Sequence, residues 1–169
     1  MSAKKELRIK NRFWPIIVAV LVLLSDQITK ILVTTYIKPY ETIPLIGSII
    51  QIRLRYNPYG VLSLSFGADY IYYIINIIGV GLIIYFILKA SMANFDRLIL
   101  GAILGGAVGN TIDRLRIGKV TDFIDMGIGN ARWPTYNLAD AAIFIGIICI
   151  IVRELLIKKK GIKEDPAIK

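Results

Sequence analysis

Histidine is absent from this chain, and cysteine occurs once, as Cys149 inside an apolar run. The first absence removes Ser-His and Cys-His nucleophilic sites, histidine-ligated zinc and histidine proton relays. The second removes disulfides within one chain, cysteine-ligated zinc and iron–sulfur clusters. Acidic residues are also scarce, with 12 Asp and Glu against 21 Lys and Arg, for a formal charge of +9. Catalysis would therefore have to come from Asp, Glu, Lys, Ser, Thr, Tyr or backbone groups. Neither a metal nor a cofactor is expected from this inventory.

What the chain has in quantity is apolar surface. Of its 169 residues 56% are hydrophobic, yet 20% are charged, so the charges are segregated from the apolar runs. With a mean hydropathy of +0.63, that is the pattern of a polytopic membrane protein. The basic residues sit beside long apolar stretches and are not gathered on one binding surface. They therefore suit anionic lipid headgroups better than nucleic acid, and no nucleic-acid partner is expected.

A bilayer span takes about 20 mostly apolar residues. Four segments qualify, at 13–36, 70–88, 95–113 and 138–157. Lys4, Lys5, Arg8, Lys10 and Arg12 precede the first run as they would in a signal peptide. That run continues past Asp26 to Ile37 without a small-x-small cleavage site, so it reads as an uncleaved span. Thirteen Lys and Arg lie in the N-terminal tail, the link between spans 2 and 3 and residues 153–169, and seven lie in 37–69 and 114–137. The positive-inside rule then places both termini in the cytoplasm, with a basic tail at 158–169, and puts 37–69 and 114–137 outside. The fold class expected is a single α-helical membrane domain over 1–169, with four transmembrane helices.

The first outer segment has a pattern of its own. Ile50, Ile52, Leu54 and Tyr56 alternate with Gln51, Arg53 and Arg55, and Leu62, Leu64 and Phe66 alternate with Ser63 and Ser65. Asn57-Pro58-Tyr59-Gly60 between them has Pro and Gly at β-turn positions. The expectation is a small extracytoplasmic β-hairpin, or cradle, resting on the membrane surface.

Ionisable residues near lipid are functional candidates. Asp26 and Lys30 are four apart and can pair on one helix face, as a structural ion pair. The alternative is a Ser/Lys nucleophilic site with Lys30 as base and Ser63 or Ser65 as nucleophile. Gly101, Gly105 and Gly109 form a small-residue stripe suited to close helix packing. Asn110, Asp113 and Arg114 follow at the end of that span, where an Asp–Arg pair is the simplest reading. Asp122 and Asp125 are interleaved with Val120, Phe123 and Ile124, so part of this loop should be buried, raising a carboxyl pKa. Asn137 and Asp140 open the fourth span as an N-cap and an acidic third residue. Asp113, Asp122, Asp125 and Asp140 should all reach the same end of the bundle. Two close carboxylates can share a proton and activate water without histidine.

These segments resemble the lipoprotein signal peptidases of bacteria over nearly the whole chain. Asp26-Gln27-Ile28-Thr29-Lys30 is similar to that family's first-span motif, and Gly105-Gly106-Ala107-Val108-Gly109-Asn110-Thr111-Ile112-Asp113-Arg114 to its third-span block. Val120-Thr121-Asp122-Phe123-Ile124-Asp125 and Tyr136-Asn137-Leu138-Ala139-Asp140 are similar to its two catalytic-aspartate motifs. The resemblance implies Asp122 and Asp140 as a catalytic pair. Asn57, Asn110, Asp113, Arg114 and Asn137 would bind substrate or support the site, and Asp26 and Lys30 would be structural. The family usually has Asn-x-Gly and then an aromatic; here an extra residue separates Asn57 from Gly60, and Leu62 replaces the aromatic. Implied too are a monomer in the bacterial inner membrane, an active site outside the cytoplasm, diacylglyceryl prolipoprotein substrates, and inhibition by globomycin-type cyclic peptides. From another class, a proton-coupled transporter would use intramembrane carboxylates, but near the midplane and commonly with inverted repeats, and no repeat is visible. A non-catalytic scaffold held by the glycine stripe would leave the Asn and Asp residues without a role.

Overall fold

The computed structural model describes residues 3–39, 41–59, 70–89 and 92–159. Along them run α1 (Ala3–Tyr36), β1 (Thr42–Ile46), β2 (Ile50–Asn57), α2 (Tyr70–Lys89), α3 (Asn94–Ile117), β3 (Val120–Ile128), β4 (Ala131–Arg132) and α4 (Leu138–Lys159). The 34 residues of α1 make a helix about 51 Å long. It begins ten residues before the expected span because residues 3–12 are mostly good helix formers, onto which an existing helix propagates cheaply. Among the described residues, three segments are long and apolar enough to cross a membrane: Phe13–Tyr36, Ile71–Leu88 and Asn94–Ile117. The 22-residue α4 has a shorter apolar stretch, closed off by Asp140 and Arg153.

The bundle is organised on α3, which touches the other three helices. A Cβ at Gly101 or Gly105 would overlap the carbonyl oxygens of Pro15 and Ala19, and one at Gly106 the Ala139 carbonyl. The missing side chains let α1 and α4 approach the α3 backbone directly. Gly105→Ala should therefore force α1 and α3 apart and cost about 1–3 kcal/mol, read as a lower melting temperature in detergent. Gly79→Ala on α2, where nothing lies within 4 Å, should leave it unchanged.

A four-stranded antiparallel sheet, ordered β1-β2-β3-β4, closes the end of the bundle where α1 and α3 finish and α4 begins. The strand expected at 50–56 is present as β2. It pairs with β1 on one side and β3 on the other; residues 62–66, the expected second half of the hairpin, lie outside the described residues. Residues 114–137 are also more ordered than an outer loop. The last turn of α3 runs on to Ile117 and stops at Gly118, whose left-handed φ of 72° lets its N–H donate to the Arg114 carbonyl at 2.9 Å. Strands β3 and β4 follow. The start of β3 lacks period-two hydrophobicity because Val120, Thr121, Asp122 and Phe123 are all buried. Leu54 and Phe123 join Val33 in a small core, with Ile37, Ile52, Ile124 and Leu138 around it, and this seats the sheet on α1 and α4.

Candidate active site

The site is built around the start of α4. Asn137 is its N-cap: its Oδ1 accepts the Asp140 N–H at 2.8 Å, and the Asp140 carboxylate accepts the Asn137 N–H at 3.3 Å. This reciprocal capping box fixes Asp140 in the first helical turn. A second cap arrives from α1, where Asp26 Oδ1 accepts the Ala139 N–H at 2.9 Å. Asn137 is fully buried, and its amide also reaches across to the sheet, donating to Asp122 Oδ1 at 2.8 Å. Asn137 thus touches both carboxyls, Asp122 through its side-chain amide and Asp140 through its backbone N–H.

Asp122 is brought there by strand geometry. In β2, Arg53 and Leu54 together oppose Phe123, because Ile52 pairs with Ile124 while Arg55 pairs with Asp122. A bulge of this kind re-aims the paired strand locally. The Asn57 side chain hydrogen-bonds the Asp122 carboxyl, while its Oδ1 accepts the Tyr59 N–H at 2.9 Å in an Asx turn. The extra residue before Gly60 therefore falls in the turn and does not carry Asn57 away. Asp122 also lines a cleft of about 270 Å³ with Arg55, Tyr56, Asn57, Pro58, Tyr59 and Thr135. Burial and the neighbouring Asp140 push the Asp122 carboxyl up to about 7, against the opposing pull of Asn57, Asn137 and Lys30.

Beneath the two carboxylates lies a buried polar layer. Lys30, 3% exposed, spends its ammonium on Asp26 at 2.8 Å, Asp113 at 3.0 Å and Asn110 Oδ1 at 2.9 Å. With Asn110 Oδ1 held by a cation, its Nδ2 turns to Asp140 Oδ1, at 2.7 Å. The reverse flip would set NH₂ against NH₃⁺ and oxygen against carboxylate. Asp113 additionally accepts the Thr121 N–H at 2.9 Å, tying α3 to β3. Gln27 bridges Asp26, Asp113 and the Gly109 carbonyl. It stands inside the first-span motif, three residues before Lys30, yet the sequence reading gave it no role; that spacing was the available signal.

Two sequence readings need correction. Asp113 pairs with Lys30 and not with Arg114, since adjacent helical residues point apart. Arg114 instead reaches the Asn110 and Tyr59 carbonyls, and its charge is felt by both Asp122 and Asp140. Asp125 does not converge with the others. Three residues from Asp122 on a strand, it faces the opposite side, where Arg132 holds it at 2.6 Å and Arg53 at 3.6 Å.

Fold and site together describe a helical membrane protein with two carboxylates held where its bundle meets a small sheet. The signal peptidase II family profile matches residues 18–156. The chain is 35% identical over 151 residues to the lipoprotein signal peptidase of Syntrophus aciditrophicus, spanning 86% of this chain and 93% of that one. Against the lipoprotein signal peptidase of Staphylococcus aureus it is 35% identical over 158 residues, or 91% and 94% of the two chains. A bacterial membrane enzyme structure solved by the in meso method at 2.3 Å superposes with a TM-score of 0.79 at 33% identity, covering 89% of this chain and 92% of that chain. The chain belongs to the signal peptidase II family, a family of aspartic peptidases.

Proposed function

We propose that this protein removes the signal peptide from diacylglyceryl-modified prolipoproteins, cutting just before the lipidated cysteine, with Asp122 and Asp140 activating water. The observation that supports this most is that one residue holds both carboxyls, Asn137 donating its side-chain amide to Asp122 and its backbone N–H to Asp140. Two such groups share one proton, because a second ionisation beside the first is costly. In the free enzyme Asp122 holds it. Asp140 is the carboxylate, at a helix N-terminus that favours negative charge. On attack, Asp140 takes a proton from water as its oxygen bonds to the scissile carbonyl carbon, and Asp122 donates to the developing oxyanion. Collapse breaks the C–N bond and returns a proton to the leaving amine. Asn110 and Asn137 orient the pair. Asp113 and the Asp26–Lys30 ion pair hold those amides, and Arg114 and Asn57 border the substrate's path.

In this reading all four helices cross the bacterial inner membrane, both termini are cytoplasmic, and the sheet and carboxylates lie at the outer interface. The signal peptide stays an apolar helix among the spans, and the acyl chains remain in lipid. The protein acts as a monomer, without a cofactor, and globomycin-type cyclic peptides occupy the site. Lys30 as a catalytic base fits the geometry poorly, because its Nζ is already committed to three acceptors at 2.8–3.0 Å.

The test is cleavage of a diacylglyceryl prolipoprotein by purified protein in detergent with EDTA present, followed by gel shift. Product is expected, with kcat/KM falling on the alkaline side around pH 7 as the pair loses its shared proton. No cleavage by folded protein, or a flat profile through that region, would overturn the proposal.

A further inference from the structure

Three arginines stand on the strands of the sheet, Arg53 and Arg55 on β2 and Arg132 on β4. Two of them are spent, since Arg53 and Arg132 both hold Asp125. Arg55 is exposed and makes no ion pair or side-chain hydrogen bond among the described residues. Its place on β2 is directly opposite Asp122 on β3, and directly paired residues of an antiparallel ladder share a face. Arg55 accordingly lines the same cleft as Asp122, together with Asn57, Tyr59 and Thr135.

The carboxylates at this end of the bundle are committed elsewhere. Glu41 accepts the Lys38 N–H at 3.0 Å, Asp125 has its two arginines, and Asp113 has Lys30. Asp140 faces Asn110 and Asn137. Asp122 turns inward to the Asn137 amide at 2.8 Å. A second cation, Arg114, closes on the Tyr59 carbonyl at 3.2 Å and adds its field to the site. An exposed arginine is ordinarily just solvated. Arg55 differs because it stands in the wall of the cleft that holds a reacting carboxyl, so a chain lying in that cleft must pass it.

We infer that Arg55 is a specificity-determining residue, which receives an acidic side chain of the substrate just beyond the lipidated cysteine. The inference rests on the cleavage proposed above. In that reaction the signal peptide reaches the carboxyls from the bundle, and the mature chain leaves along the sheet. One extended residue advances a chain by at most about 3.6 Å. The cysteine's own side chain is held in lipid by its acyl groups, so the next residue is the first whose side chain can enter the cleft. A carboxylate there meets an unspent guanidinium, which can bind it through two parallel N–H donors. A lysine there meets a like charge.

The test is binding, so that it does not wait on turnover. Two fluorescent diacylglyceryl prolipoprotein peptides, alike except for Asp or Lys immediately after the cysteine, are titrated by anisotropy against the full-length Asp140→Asn variant in detergent. An exposed ion pair gained in one peptide and a like-charge contact in the other should together separate the two Kd values by about tenfold in favour of Asp. The ratio should shrink as sodium chloride is raised. Adding Arg55→Gln should bring it close to one, and Arg55→Glu should invert it. Both changes fall at an exposed position without partners, so the fold is expected to survive them, and matched unfolding temperatures check this. Equal binding of the two peptides would overturn the inference and leave the proposed cleavage standing. So would a preference for Asp that persists in Arg55→Glu, because another cation would then be reading the substrate. Binding of neither peptide would overturn the proposed function, and the inference with it.

Discussion

Asp140→Asn and Asp122→Asn are each expected to lower kcat/KM at least about 10³-fold while leaving a folded protein, because each removes one half of a concerted proton transfer. The substitutions are chosen for shape. Asn at 140 keeps an oxygen to accept the Asn137 N–H and so preserves the cap on α4, but it cannot take a proton from water. Asn at 122 can still donate a hydrogen bond but has no acid proton to give. The two variants should differ in stability. A carboxyl raised on folding from 3.8 to about 7 contributes stability that is complete below the first value and lost as pH rises through the second. Asp122→Asn carries no such group, so around pH 8 it should melt no lower than wild type despite being inactive. Prolipoprotein cleavage and thermal unfolding in the same detergent check both statements. Cleavage surviving in both variants would discard the pair and return attention to Lys30, with Ser63 or Ser65 as its nucleophile.

Much of this site was legible in sequence because helices expose their logic locally. Asp26 and Lys30 at one helical turn's spacing, the glycine stripe, and Asn137 with Asp140 as a cap can each be read from a few neighbouring residues, and all three relations are present. What was not legible depends on the third dimension. The pairing of Lys30 with Asp113 joins residues 83 positions apart in sequence, and nothing in either segment specifies it. Strand β3 was read as loop because both faces of its first half are covered, which erases the alternation that marks a strand. The same error made Asp125 a neighbour of Asp122, when a three-residue step along a strand sends the two carboxyls to opposite faces. Likewise β1, as the partner of β2, was missed because Thr42-Ile43-Pro44-Leu45-Ile46 has no strict alternation, and Pro44 argues against a strand except at a sheet edge, where it lies.

Lys30→Met is the other substitution expected to have a large effect, and it acts first on stability. It would strand Asp26 and Asp113 as buried carboxylates without their cation, a change that costs about 3–5 kcal/mol when one partner of a buried pair is removed. The loss is electrostatic and not a matter of volume, so it should be largely recovered by Lys30→Met combined with Asp26→Asn and Asp113→Asn. Those amides still accept from the Ala139 and Thr121 N–H groups that the carboxylates serve now. Activity should not recover in step. Without the ammonium the flip of Asn110, whose Nδ2 orients Asp140, is left to the longer 3.2 Å bond that its Oδ1 accepts from the Asn137 amide, and a misdirected carboxylate costs about 10²-fold in rate. The triple variant separates the two jobs of Lys30: near wild-type unfolding temperature with cleavage reduced about 10²-fold. A triple variant no more stable than Lys30→Met would mean the ion cluster is not what holds α1 to α3. One that cleaved at the wild-type rate would remove Lys30 from the orientation of the site. Both outcomes bear on why a membrane enzyme keeps a lysine between two aspartates in its interior. The cation bridges the two carboxylates that cap α4 and anchor β3, and it does so while helping to set the amide on which Asp140 depends.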